Sequence, residues 1–229
     1  WIRGHHNARV HASVWSPDVQ MYRIVDKKTK KEIAFFYTDF VPAEGKYEHA
    51  AAFSVRTGRK LSDGSYLKPI SSIVANFTPS SPGKPVLLTH DEVGTLFHEF
   101  GHIMHQTLTK APYATLSGTA VARDFVEAPS QMLENWVWDK RMLKSISGHY
   151  SDPKKKLPAD LIVKMLKARD FNQASFYTKQ LFYGTVDMTY HSNPPASINT
   201  TEVQQKIYKE MVGIDPLPES KFEAGFGHL

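Results

Sequence analysis

Residues 97–104 read FHEFGHIM, and His98, Glu99 and His102 within them form the spacing H-E-x-x-H. On a helix this spacing sets two imidazoles one turn apart on one face, with a carboxylate beside them. The flanks predict that helix. Thr89 and Glu92 form a capping box, in which two backbone N–H groups are satisfied reciprocally. Val93, Leu96, Phe97, Phe100, Ile103, Met104 and Leu108 recur mostly at three- and four-residue intervals, so residues 91–109 carry a broad apolar face. Pro112 follows where a helix would have ended.

Upstream, residues 21–26 and 32–39 are rich in aromatic and β-branched side chains, with the polar run 27–31 between them. They predict an antiparallel hairpin. Residues 47–55 and 71–77 are two further strands. Residues 57–65, with Gly58 and Asp63-Gly64, form a turn-rich connection, and the Pro-rich residues 78–85 a loop. Residues 1–13 have no periodicity and read as a tail or connection stub, and His5, His6 and His11 share no helical register there.

Downstream, a loop at 113–122 contains Ser117-Gly118-Thr119. A second helix is predicted over 124–139, with Asp124 and Glu127 as its capping box. Pro129 removes an internal hydrogen bond, so the helix either begins near it or kinks there. Helices over 159–169, 173–190 and 201–211 follow, then a loop tail from residue 215. A small sheet followed by five helices gives an α+β fold, predominantly helical, with one sheet packed on helices.

The chain has 229 residues, of which 41% are hydrophobic and 22% charged, so it can bury a core and is not disordered throughout. It has no cysteine, which excludes disulfides and thiolate metal sites; a metal must use His, Asp or Glu. A reducing compartment, the cytoplasm, fits that usage. The net charge of +5 comes mainly from the runs 27–31 and 154–156, which read as solvated turns. A nucleic-acid surface would interleave a basic face with aromatics. No apolar run approaches the roughly 20 residues that span a bilayer. Neither nucleic acid nor membrane is an expected partner.

The H-E-x-x-H spacing is the recognised pattern of zinc peptidases. A catalytic zinc takes three protein ligands and keeps an open position. His98 and His102 supply two. The extended pattern H-E-x-x-H-x-x-G-x-x-H fails here, because His105 and Leu108 stand where it needs glycine and histidine. The alternative is a carboxylate from the following helix. Glu127, near its start, can fold back onto the two imidazoles. Glu134 and Asp124 are the other candidates; Glu134 lies two turns further on, roughly on the same face as Glu127, and would sit far from a metal held at the helix start. Glu99 is the expected general base, not a ligand. Gly101 could let a neighbouring chain approach closely. His90 and His105 are candidates for lining the cleft, Asp91 and Asp124 for orienting the ligand histidines.

The residues HEFGHIMHQ at 98–106, SGT at 117–119 and RDFVEAPSQMLENWVW at 123–138 resemble the thimet oligopeptidase family of zinc metallopeptidases. GKYEHAA at 45–51, VANFT at 74–78, HDEV at 90–93 and FGHL at 226–229 agree with it, so the resemblance runs from about residue 14 to 229. It implies a zincin-like catalytic region, with one Zn2+ per chain held by His98, His102 and Glu127 and with Glu99 as base. It implies cleavage of short unstructured peptides by a protein that is a monomer when full length. It also implies that residues 74–77, with Ala75 and Asn76, form the strand beside which substrate lies, and that His228 contacts substrate and the oxyanion. An edge strand can hold any peptide by main-chain pairing.

Family members carry a large helical N-terminal portion and, after FGHL, a tyrosine-bearing segment that this chain does not contain. Losing one oxyanion donor typically costs about 10²–10³ in rate. The expectation is therefore residues 14–229 as part of a metallopeptidase catalytic region. The rival is a truncated piece that binds zinc, and peptide, without turnover.

Overall fold

The computed structural model describes residues 2–3, 14–79, 86–217 and 219–225. His5, His6, His11 and His228 lie outside the described residues. The chain divides into two compact units, Trp1–Pro158 and Ala159–Leu229.

The first unit is a sheet carrying one long helix. Its strands are β1 (Ile2–Arg3), β2 (Gln20–Val25), β3 (Glu32–Asp39), β4 (Ala51–Arg56) and β7 (Ile70–Val74), in the order β1-β2-β3-β7-β4. A small hairpin of β5 (Arg59–Lys60) and β6 (Tyr66–Leu67) sits in the turn-rich connection. The predicted hairpin is β2–β3, with Met21 opposite Tyr37 and Arg23 opposite Phe35. Ile2–Arg3, inside the stretch read as a tail, adds a short outer strand to β2.

Of residues 74–77, expected to form the strand beside which substrate lies, only Val74 falls within β7. β7 runs parallel to β3 on one side and antiparallel to β4 on the other, so it lies inside the sheet. Ser71, Ser72 and Ile73 are buried in succession, as in a strand covered on both faces. The free edge beyond β7 belongs to β4. Alternation within a strand reports its faces but not its neighbours, and the long return between β3 and β7 puts β4 outermost.

The parallel ends of β3 and β7 are tied by a buried lysine that sequence reasoning passed over. Lys46 Nζ donates to Asp39 Oδ1 at 2.7 Å and to the carbonyls of Val41 at 2.8 Å and Ala75 at 2.7 Å. Trp15 Nε1 donates to the other Asp39 oxygen at 2.7 Å. The Lys46 and Asp39 side chains are 8% and 12% exposed, so neither charge can fall back on water. Lys46→Met leaves a buried carboxylate half-paired and is expected to lower stability by about 3 kcal/mol, measured by urea unfolding.

Helix α1 (His90–Thr107) lies on the sheet. Its capping box forms as predicted, with Thr89 accepting from the Glu92 N–H and Glu92 from the Thr89 N–H. Ile103 is fully buried among Ile24, Ala34, Phe36 and Ile73, with Leu96 and Phe100 alongside. The predicted second helix breaks into α2 (Arg123–Val126), α3 (Ala128–Glu134) and a 3-10 turn at Asn135–Trp138. The Asp124–Glu127 capping box does not form. α2 starts before Asp124, with Ala122 as its uncapped N-cap residue, and Glu127 becomes the junction before α3. Pro129 sits in the first turn of α3, where its missing N–H would have had no intrahelical partner. α4 (Lys140–Ile146) was not predicted; Asp139, read as the end of the second helix, instead accepts from the N–H groups of Arg141 and Met142 and starts a new one.

The second unit contains α5 (Ala159–Arg169), α6 (Gln173–His191), α7 (Thr200–Val212) and α8 (Phe222–Gly225). α6 and α7 pack through Phe182, Val186 and Ile207. α8 falls in the stretch expected to be a loop. Phe222 stacks on Tyr183 at 5.4 Å and packs on that core, which a tail reading from proline and glycine content could not foresee. No described helix is long and apolar enough to cross a membrane. The fold is α+β, with a small mixed sheet and a larger helical share, as expected.

Candidate metal centre

The site lies entirely in the first unit. His98 and His102 project from one face of α1, their rings 5.0 Å apart and nearly perpendicular. α3 crosses α1 at Gly101. A Cβ there would stand 2.5 Å from Ser130 Cα and 2.7 Å from the Pro129 carbonyl oxygen, so only glycine admits this approach. The close crossing expected of Gly101 is thus present, and it carries Glu127 to the two imidazoles.

Glu127 Oε2 lies 3.2 Å from His98 Nε2 and 3.1 Å from His102 Nε2. Tetrahedral bonds of 2.0–2.2 Å require neighbouring ligand atoms about 3.3 Å apart. The two distances meet that requirement, and all three donor atoms lie within 4.8 Å of one another. Two neutral imidazoles and one carboxylate are also the donor types of a catalytic zinc. Burial holds the His102 imidazole below its usual pKa, against the raising pull of Glu127, which favours the neutral ring that a metal needs. The Glu127 side chain is 46% exposed, which leaves one flank of the set open.

Glu134 stays outside the donor set, as expected, but is not remote from it. Its Oε1 lies 2.6 Å from His98 Nδ1. A carboxylate only accepts, so Nδ1 carries the proton and Nε2 presents its lone pair to the site. The orienting group is therefore Glu134 rather than Asp91 or Asp124. The signal was in the sequence: Glu134 follows Glu127 by about two turns and shares its face, but α3 runs past α1 and delivers it to the opposite nitrogen of the same ring. Glu134→Ala is expected to weaken binding of a divalent ion by about 10–100-fold, read by chelator competition. His102 Nδ1 is buried with no hydrogen-bond partner among the described residues.

Glu99 is 6% exposed and stands beside the triad without joining it. Burial raises its pKa, and the Glu127 charge adds to this; His98 and an Ala52 backbone N–H pull it down. The Ala52 contact places the carboxylate at β4, the edge strand. His90 lines a cavity together with His98 and Glu134, whereas His105 takes a packing role. His90 Nε2 meets the Val137 carbonyl at 3.0 Å and its ring lies 4.3 Å from that of Trp138, while His105 packs edge-on against Phe125. Ala75 and Asn76 are engaged within the fold. The Ala75 N–H donates to Asp39 and its carbonyl accepts from Lys46, and Asn76 Nδ2 donates to the Tyr47 and Glu48 carbonyls.

Residues 2–229 match Peptidase family M3. The chain belongs to that family. It is 43% identical over 219 residues to the thimet-like oligopeptidase of Dictyostelium discoideum, covering 94% of this chain and 32% of that protein. It is 37% identical over 225 residues to oligopeptidase A of Escherichia coli, covering 96% and 33%. It is 38% identical over 184 residues to saccharolysin of Saccharomyces cerevisiae, covering 79% and 26%. The chain thus spans about a third or less of the length of these curated relatives. The resemblance read from HEFGH, SGT and EAPSQ is family membership. The M3 relatives also include proteins named mitochondrial intermediate peptidase, at 30–31% identity, so membership by itself fixes no compartment.

Proposed function

We propose that residues 14–229 form part of the zincin-like catalytic region of a zinc-dependent oligopeptidase. The observation that carries this is the convergence of His98 Nε2 and His102 Nε2 on one oxygen of Glu127, with Glu99 buried beside them. The relatives' names, oligopeptidase among them, support peptides as the substrate class.

A bound Zn2+ supplies Lewis acidity, polarising the scissile carbonyl and lowering the pKa of the attacking water to about 7. The chain's own residues do the rest. Glu99 takes a proton from the attacking water as its oxygen adds to the carbonyl carbon. It returns that proton to the amine nitrogen as the C–N bond breaks. In the metal-free chain burial raises the Glu99 pKa, and a bound Zn2+ would oppose that shift. Glu134 keeps His98 in the ligating tautomer. β4, Ala51–Arg56, has no strand beyond it among the described residues, so an extended peptide could pair along that edge, and the Ala52 contact to Glu99 puts it beside the base. Short unstructured peptides are the substrates that can lie along such an edge.

The test is metal content with hydrolysis of a quenched short peptide. One zinc per chain is expected, with cleavage lost to a chelator and restored by Zn2+. One zinc with no cleavage would favour the binding-only rival.

A further inference from the structure

Ser130 is fully buried, and its hydroxyl reaches Glu127 twice. Oγ lies 2.7 Å from Glu127 Oε2 and 2.9 Å from the Glu127 carbonyl oxygen. That same Oε2 is the atom facing both imidazoles. A carboxylate oxygen only accepts, so the hydroxyl is the donor.

The local backbone explains why a donor is needed there. Glu127 is the N-cap residue of α3. An N-cap side chain ordinarily folds back to accept from the N–H of the second or third helical residue. The second residue here is Pro129, which has no N–H, and Glu127 makes no capping bond. The third residue, Ser130, has an N–H but gives Glu127 no capping bond either; the carboxylate extends toward α1, and the Ser130 hydroxyl meets it. Ser130 is itself anchored, because its Cα and N lie against Gly101 of α1. The hydroxyl, the carboxylate and the two histidines are thus referenced to one helix crossing.

We propose that Ser130 is a positioning residue for the ligand Glu127, fixing its carboxylate so that Oε2 meets His98 and His102 before a metal arrives. The inference rests on the zinc-triad reading above. A glutamate has several rotatable bonds, and locking them in advance removes their ordering from the binding step. Ser130→Ala deletes one buried oxygen and leaves the Gly101 contact intact.

The experiment measures zinc affinity by chelator competition in the wild type, Ser130→Ala and Ser117→Ala. Ser117 is the matched control, a buried hydroxyl of the same unit that bonds Thr109 Oγ1 at 3.1 Å in the loop after α1. Ser130→Ala is expected to bind zinc about 10–100-fold more weakly and to change the d–d spectrum of bound Co2+, which reports ligand geometry. Ser117→Ala is expected to keep the wild-type affinity and spectrum. A purely structural role would lower the melting temperature of the metal-free Ser130→Ala protein and leave both metal readouts unchanged; that result overturns the proposal while the triad stands. A wild type that takes up no zinc overturns the triad reading, and this one with it.

Discussion

Glu99→Gln is expected to reduce peptide hydrolysis by about 10²–10⁴-fold while leaving one zinc bound. The amide keeps the size of the carboxylate and can still accept from the Ala52 N–H, so the β4 contact survives. It cannot take a proton from water. His98, His102 and Glu127 are untouched, so metal content should not change. The same substitution has an opposite effect on stability. Burial raises the Glu99 pKa in the folded chain above its unfolded value. Between those two values the folded state holds more protons, so stability falls as pH rises through that window. Above the folded pKa the whole penalty is present. Metal-free Glu99→Gln is therefore expected to melt higher than metal-free wild type at neutral pH, and this advantage should vanish below the unfolded carboxylate range. Retained hydrolysis in the variant would remove Glu99 from the mechanism; an unchanged melting temperature at neutral pH would mean its charge is compensated in the fold.

Gly101→Ala is expected to remove both stability and metal. The added Cβ would stand 2.5 Å from Ser130 Cα, 2.7 Å from the Pro129 carbonyl oxygen and 2.9 Å from the Ser130 N. All three are backbone atoms, so no rotamer can relieve the overlap. α1 and α3 must separate. Overpacking of this kind typically costs about 1–3 kcal/mol, against about 1 kcal/mol gained from the better helix propensity of alanine. The larger consequence is geometric. Glu127 sits at the start of α3 while both histidines sit on α1, so any separation opens the 3.1–3.2 Å distances that match a tetrahedral zinc. Zinc binding should weaken by more than the about 10–100-fold expected when a ligand merely loses its orienting partner. Wild-type zinc affinity in the alanine variant would show that the helix crossing does not set the triad.

The parts of the fold that could be read in the sequence were those made by neighbours along the chain. α1 was legible because its capping box, its apolar period and the two histidines all speak within one helix. The β2–β3 hairpin was legible because its strands are joined by a short polar loop. The centre of the sheet was not. β7 pairs with β3, more than thirty residues earlier, and no local signal marks which strand ends up between two others. α8 was missed for a related reason, since Phe222 owes its place to Tyr183 on another helix.

The site divides along the same line. The sequence by itself determined its residue types: two histidines on one helical face, a carboxylate between them, no thiol, and the EAPSQ block that brought Glu127 forward. Helical periodicity and donor type are local properties, and local properties survive translation into a string of residues. Only the tertiary structure decided how the two helices meet. Gly101 admits the α3 backbone, and that contact sets which nitrogen each carboxylate reaches: Glu127 on the Nε2 side of both rings, Glu134 on Nδ1 of His98. A glutamate two turns further on looked too distant when counted along its own helix. Counted across the crossing it is in contact, because antiparallel or parallel passage of one helix over another converts separation along the chain into adjacency in space.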